Sequence, residues 1–74
     1  MIYRTEELIK ELKAHPDTEI EAVIRNGILR TTHYLIPVND DELEFEGIDG
    51  ERTIITFEQF AKDYPNANWE IIND

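Results

Sequence analysis

The chain has 74 residues, 41% of them hydrophobic, which allows one domain with one modest core and is too apolar for a disordered segment. It contains no cysteine, which excludes disulfides and thiolate metal sites, and its net charge of −10 disfavours direct binding to nucleic acid or an anionic membrane. A small cysteine-free domain fits a reducing compartment. Charges interrupt Met1–Glu7 before any apolar stretch forms, and no apolar run approaches the ~20 residues of a membrane helix. The expectation is a cytoplasmic protein without a leader or a membrane span.

Residues 5–14 read as a helix. Thr5 is placed to cap it, Glu6 and Glu7 lie in the first turn where the dipole favours anions, and Leu8, Ile9 and Leu12 form a stripe. Pro16 disfavours helical geometry at His15 and ends the element. Residues 18–25 and 28–36 read as strands around Asn26-Gly27, a dipeptide suited to a two-residue hairpin turn. That turn pairs Ile24 with Leu29, Ala22 with Thr31 and Ile20 with His33. Pro37 ends the second strand or marks an edge.

After the polar loop 39–42, residues 43–48 and 52–56 read as a second hairpin, with Asp49-Gly50 as a turn of the same kind. Ile54 and Ile55 are adjacent, so each points to a different face. Residues 57–64 read as a short helix. Thr56 and Gln59 have capping-box spacing, and Phe57, Phe60, Ala61 and Tyr64 share a face. Pro65 stops it, and 69–72 suit a last short strand. The order predicts a single α+β domain over 1–74. Its antiparallel sheet has four to five strands, most simply a meander, with an N-terminal and a C-terminal helix packed on one face.

The charge is unevenly spread. Residues 1–30 hold six acids and five bases, whereas 40–74 hold eleven acids and two bases, Arg52 and Lys62. Seven acids fall between Asp40 and Glu51: Asp40, Asp41, Glu42, Glu44, Glu46, Asp49 and Glu51. On a strand, Glu42, Glu44 and Glu46 point to one face about 6.8 Å apart. Duplex DNA carries a charge every ~1.7 Å of axis, so one such row is too sparse to imitate phosphates. Mimicry needs more rows, for which Glu19, Glu21, Asp40 and Asp41 are available. The plainer reading is a solvated face whose charges block aggregation.

Other chemistry finds little support. An EF-hand loop begun at Asp40 places Glu42 and Glu44 correctly but has Phe45 where glycine is needed. His33 falls on the apolar side of its strand, and the chain has no serine or cysteine to serve beside it as a nucleophile. A core histidine satisfied by a neighbour fits better. Gly27, Gly47 and Gly50 build neither a dinucleotide fingerprint nor a phosphate loop. No catalytic residue, metal site or cofactor is expected. Phe57 and Phe60 suit a core, whereas Tyr64 and Trp69 each have a polar handle that tolerates an interface rim.

The sequence thus points to a small acidic protein-binding module and not to an enzyme. Its natural partner is a protein with a basic surface, such as a nucleic-acid enzyme. Small size, acidity and the lack of a catalytic constellation are shared with phage-encoded inhibitors of the anti-CRISPR and anti-restriction kind. Asp40, Asp41, Glu42, Glu44, Glu46, Asp49 and Glu51 are the candidate contacts, with Tyr64 or Trp69 as anchor. The alternative is a structural or adaptor domain that self-associates, for instance as a homodimer, through a sheet edge or an apolar face.

Overall fold

A computed structural model describes residues 1–26 and 28–73, the side chain of Asn26 excepted. The elements run β1 (Ile2–Arg4), α1 (Thr5–Ala14), β2 (Ile20–Asn26), β3 (Leu29–Pro37), β4 (Glu42–Glu46), β5 (Arg52–Thr56), α2 (Phe57–Asp63) and β6 (Asn68–Ile71). The class is α+β as expected, but the sheet has six strands in the order β1-β6-β2-β3-β4-β5, every pair antiparallel. A meander covers only β2 to β5. Strand β6 returns to the far side of β2 and β1 lies outside it. Those pairings make β1 parallel to β2 and β5 parallel to β6, and parallel strands need a long crossover. The two helices supply it.

The register explains the core. Tyr3, Trp69, Ile71, Ile20, Ala22, Ile24, Leu35, Leu43, Phe45 and Ile55 share one face of the sheet by strand alternation. All of them belong to, or pack against, one hydrophobic cluster with Leu8 and Leu12 of α1 and Phe57 and Phe60 of α2. Leu8 and Leu12 stand one helical turn apart and are fully buried. No helix among the described residues is long and apolar enough to cross a membrane.

Four sequence expectations are corrected. Thr5 is not the cap of α1 but its first residue, and Arg4 precedes it with its backbone N–H donating to Glu7 Oε1 (2.9 Å). The Thr5 hydroxyl is used instead inside the core, where it accepts from Trp69 Nε1 (3.0 Å) and donates to the Tyr64 carbonyl. The first hairpin pairs Ile24 with Thr31, Ala22 with His33 and Ile20 with Leu35, two residues away from the expected register. Asn26 ends β2 opposite Leu29, and Gly27 of the expected turn lies outside the described residues. The second hairpin closes at Glu46 and Arg52, so β4 stops at residue 46. Its loop is a turn with Gly50 N–H donating to Gly47 O (3.1 Å) and Gly47 N–H donating to Glu51 O (2.9 Å). Gly50 takes φ +81°, the left-handed position of a three-residue hairpin loop.

Other local signals act as the residues imply. Thr56 caps α2 by accepting from the Gln59 N–H (3.0 Å). His15 ends α1 with its N–H on Leu12 O (3.2 Å), and Thr18 N–H then reaches His15 O (3.3 Å) around Pro16 and Asp17. Asp17 holds φ +61°, as the third residue of a type II turn must.

Candidate functional site

The sheet face away from the helices carries six acids, Glu19, Glu21, Glu42, Glu44, Glu46 and Glu70, and three arginines, Arg25, Arg30 and Arg52. Strand pairing aligns Glu21, Tyr34, Glu46 and Arg52 in one row across β2, β3, β4 and β5. The next row holds Ile36, Glu44 and Ile54, and Glu42 stands opposite Thr56 at its end. Glu42, Glu44 and Glu46 therefore lie on one face, alternating with the buried Leu43 and Phe45. Glu19 and Glu21 fall on this same face.

Arg52 sits among these carboxylates. Its Nε contacts Glu46 (3.2 Å), one terminal nitrogen contacts Glu44 (3.3 Å) and the other reaches Glu19 beyond β3 (3.3 Å). The three carboxylates push the guanidinium pKa further up, through hydrogen bonds to Glu46 and Glu44 above all. Tyr34 feels the same field. A hydrogen bond to Glu21, with the charges of Glu21, Glu46 and Glu19, raises its phenol pKa. The patch is thus five carboxylates around one bound guanidinium, with Tyr34, Ile36 and Ile54 between them. It is denser in acids than a single row, and Arg52 offsets part of its charge.

Loops lie at both ends of β4, and the one before it carries Asp40 and Asp41 beside Lys13 of α1. Asn39 Oδ1 accepts from the N–H groups of Asp41 and Glu42 (both 2.8 Å), and its Nδ2 donates to Glu42 Oε1 (3.0 Å). That side chain turns the chain so that Asp40 and Asp41 stay exposed beside Glu42. Asp49 and Glu51 lie in the loop at the other end, where Asp49 Oδ1 accepts from Glu51 N–H (3.0 Å). At the β2–β3 end of the same face stand Arg25 and Arg30, paired across the strands, with Arg25 bound to Glu70 (3.1 Å).

Tyr64 and Trp69 lie elsewhere. Trp69 is fully buried and offers no contact surface in this fold. Tyr64 is half-buried against Phe45, Phe60, Trp69 and His33, and its burial raises the phenol pKa. Both belong to the side of the sheet opposite the carboxylates. Sequence spacing alone did not separate core from rim for these two. Their pairing with each other and with His33 follows from β6 inserting beside β2.

His33 is a core side chain, 3% exposed. Its ring stacks on Phe45 with centroids 5.0 Å apart. Nδ1 lies 3.2 Å from the Glu46 carbonyl and Nε2 lies 2.9 Å from Thr31 Oγ1. A carbonyl only accepts, so Nδ1 carries the proton and Nε2 accepts from the threonine. Burial lowers the His33 pKa against the smaller opposing effect of the Glu46 carbonyl. Both nitrogens are occupied, Nε2 by the Thr31 hydroxyl and Nδ1 by the Glu46 carbonyl. Among the described residues, no group of three His, Asp or Glu side chains is placed to hold a metal ion. No known protein family, curated protein or solved structure matches this chain.

Proposed function

We propose that this protein is a small acidic binding module that covers a basic, nucleic-acid-binding surface on another protein, in the manner of phage-type inhibitors. The observation that carries the reading is the convergence of Glu19, Glu21, Glu42, Glu44 and Glu46 on one helix-free sheet face, flanked by Asp40 and Asp41. A face built only for solubility gains nothing from concentrating its acids, whereas complementary charge steers a basic partner and sets its register. Tyr34, Ile36 and Ile54 supply apolar contact between the carboxylates, a role the sequence had suggested for Tyr64 and Trp69.

Competition with duplex DNA tests the reading. Excess DNA should displace the protein from a bound nucleic-acid enzyme, because both would occupy one basic groove. A ternary complex with DNA still in place would contradict it. A second reading, self-association through a sheet edge, is favoured by the uncharged residues of β5 and opposed by the net charge of −10. Sedimentation at low and high ionic strength separates the two, since screening promotes self-association and weakens charge-driven capture.

A further inference from the structure

Strand β5 is an edge of the sheet, paired on one side only. Phe57 N–H donates to Asp41 O (2.9 Å) and Gly47 N–H donates to Glu51 O (2.9 Å), one at each end of the β4–β5 ladder. Closely bonded pairs recur every second residue in an antiparallel ladder. Thr53 and Ile55 are therefore the residues that bond to β4, and the backbone groups of Arg52, Ile54 and Thr56 face outward. Exposed edges are ordinarily blunted by lysine, proline, a bulge or inward charges. Here Thr53, Ile54, Ile55 and Thr56 are all β-branched and uncharged, and Ile54 is 57% exposed. The one charged residue, Arg52, folds back over the sheet onto Glu44, Glu46 and Glu19 and leaves the edge open.

From this edge we infer that the partner protein adds an extended strand to β5, with lysine or arginine at alternate positions. This rests on the proposed acidic docking face and specifies how that face is used. Alternate residues of an added strand project onto the face of Glu42 and Glu44, two strand spacings or roughly 9.6 Å from β4. Arg52 shows that a long basic side chain on this edge can reach farther, since it meets Glu19 across both β4 and β3. Glu42, Asp40 and Asp41 at the Thr56 end hold no ion pair among the described residues. A basic residue opposite Thr56 would project onto the face of Glu42. A second copy of the chain satisfies the edge's backbone groups but brings a like charge of −10, so charge favours the basic strand.

The geometry sets a specific test. In an antiparallel addition, residues that bond to Arg52, Ile54 and Thr56 share their face. The basic residues are thus the ones whose backbone N–H points at β5. The full chain is titrated with a seven-residue peptide alternating lysine and valine, followed by amide NMR. The expected result is shifts at Arg52, Ile54 and Thr56. N-methylation of the lysine amides should weaken binding at least about tenfold, and N-methylation of the valine amides by less than about threefold, because strand addition rests on main-chain bonds. Ile54→Pro, tolerable at an edge residue whose N–H faces solvent, should abolish the shifts while leaving the fold intact. Equal weakening by either methylation overturns strand addition and leaves charge-driven docking standing. No binding of any of these peptides at low salt overturns both. Concentration-dependent protection of the β5 amides without peptide overturns the basic strand in favour of a second copy.

Discussion

Thr5 and His33 show how polar side chains can be buried without penalty when every group finds a partner. Among the described residues, no buried side-chain nitrogen or oxygen lacks one. The Thr5 hydroxyl joins the first residue of α1 to the residue that ends α2 and to the indole of β6. Thr5→Val keeps the shape but strands the Trp69 N–H, and leaves the Tyr64 carbonyl only the Ala67 N–H at 3.5 Å. Each buried group left unpaired costs about 1–3 kcal/mol, a loss that urea unfolding would read directly, with Thr5→Ser retaining most of the stability. His33 gives a pH dependence of definite sign. Its pKa in the fold lies below the ordinary value of 6.5, so the unfolded chain takes up a proton first as pH falls. Its contribution is therefore present above pH 6.5 and is lost as pH falls from there toward the folded pKa. The urea midpoint should drop between pH 7.5 and 5.5, and His33→Gln should flatten that drop.

At the scale of elements, Asn39 decides how the acidic strand is presented. Its side-chain oxygen holds two backbone N–H groups at 2.8 Å, a local bond pattern that substitutes for a ladder rung. Asn39→Ala should cost about 1 kcal/mol in thermal unfolding and loosen the hairpin that carries Glu42. The elements that local pattern defines were legible in the sequence. Both helices ended where Pro16 and Pro65 required, and α2 took its cap from Thr56. The first hairpin slipped by two residues, and because side chains alternate with period two, His33 and Ile20 kept the faces their spacing implied. Strand β1 was not legible. Three residues are too few for a periodic signal, and its partner Trp69 is distant in the chain. The end of β4 was misread because Asp49-Gly50 resembles a two-residue turn, whereas Gly50 alone takes the left-handed conformation. The carboxylate row on β4 could be read from alternation. Its junction with Glu19 through Arg52 could not, because it depends on four strands lying side by side.

Across the whole molecule, the helices and the buried apolar cluster lie on one side of the sheet, while the other carries Glu19, Glu21, Glu42, Glu44, Glu46 and Glu70 beside Tyr34, Ile36 and Ile54. A net charge of −10 destabilises the compact state by self-repulsion, which salt screens. The melting temperature should therefore rise between low and roughly 0.5 M salt despite the weakening of the exposed Arg52 and Arg25 pairs. The binding account makes the opposite demand, that association weaken as salt rises. The most direct test is affinity capture from bacterial lysate at low and high ionic strength, using the wild type beside the triple variant Asp40→Asn, Asp41→Asn, Glu42→Gln. These three acids hold no ion pair among the described residues, so the variant keeps the Arg52 network. The wild type should retain one nucleic-acid-binding protein at low salt, high salt should release it, and the variant should recover far less of it. Equal recovery by the variant, or capture indifferent to salt, would contradict the claim that the acidic face does the binding.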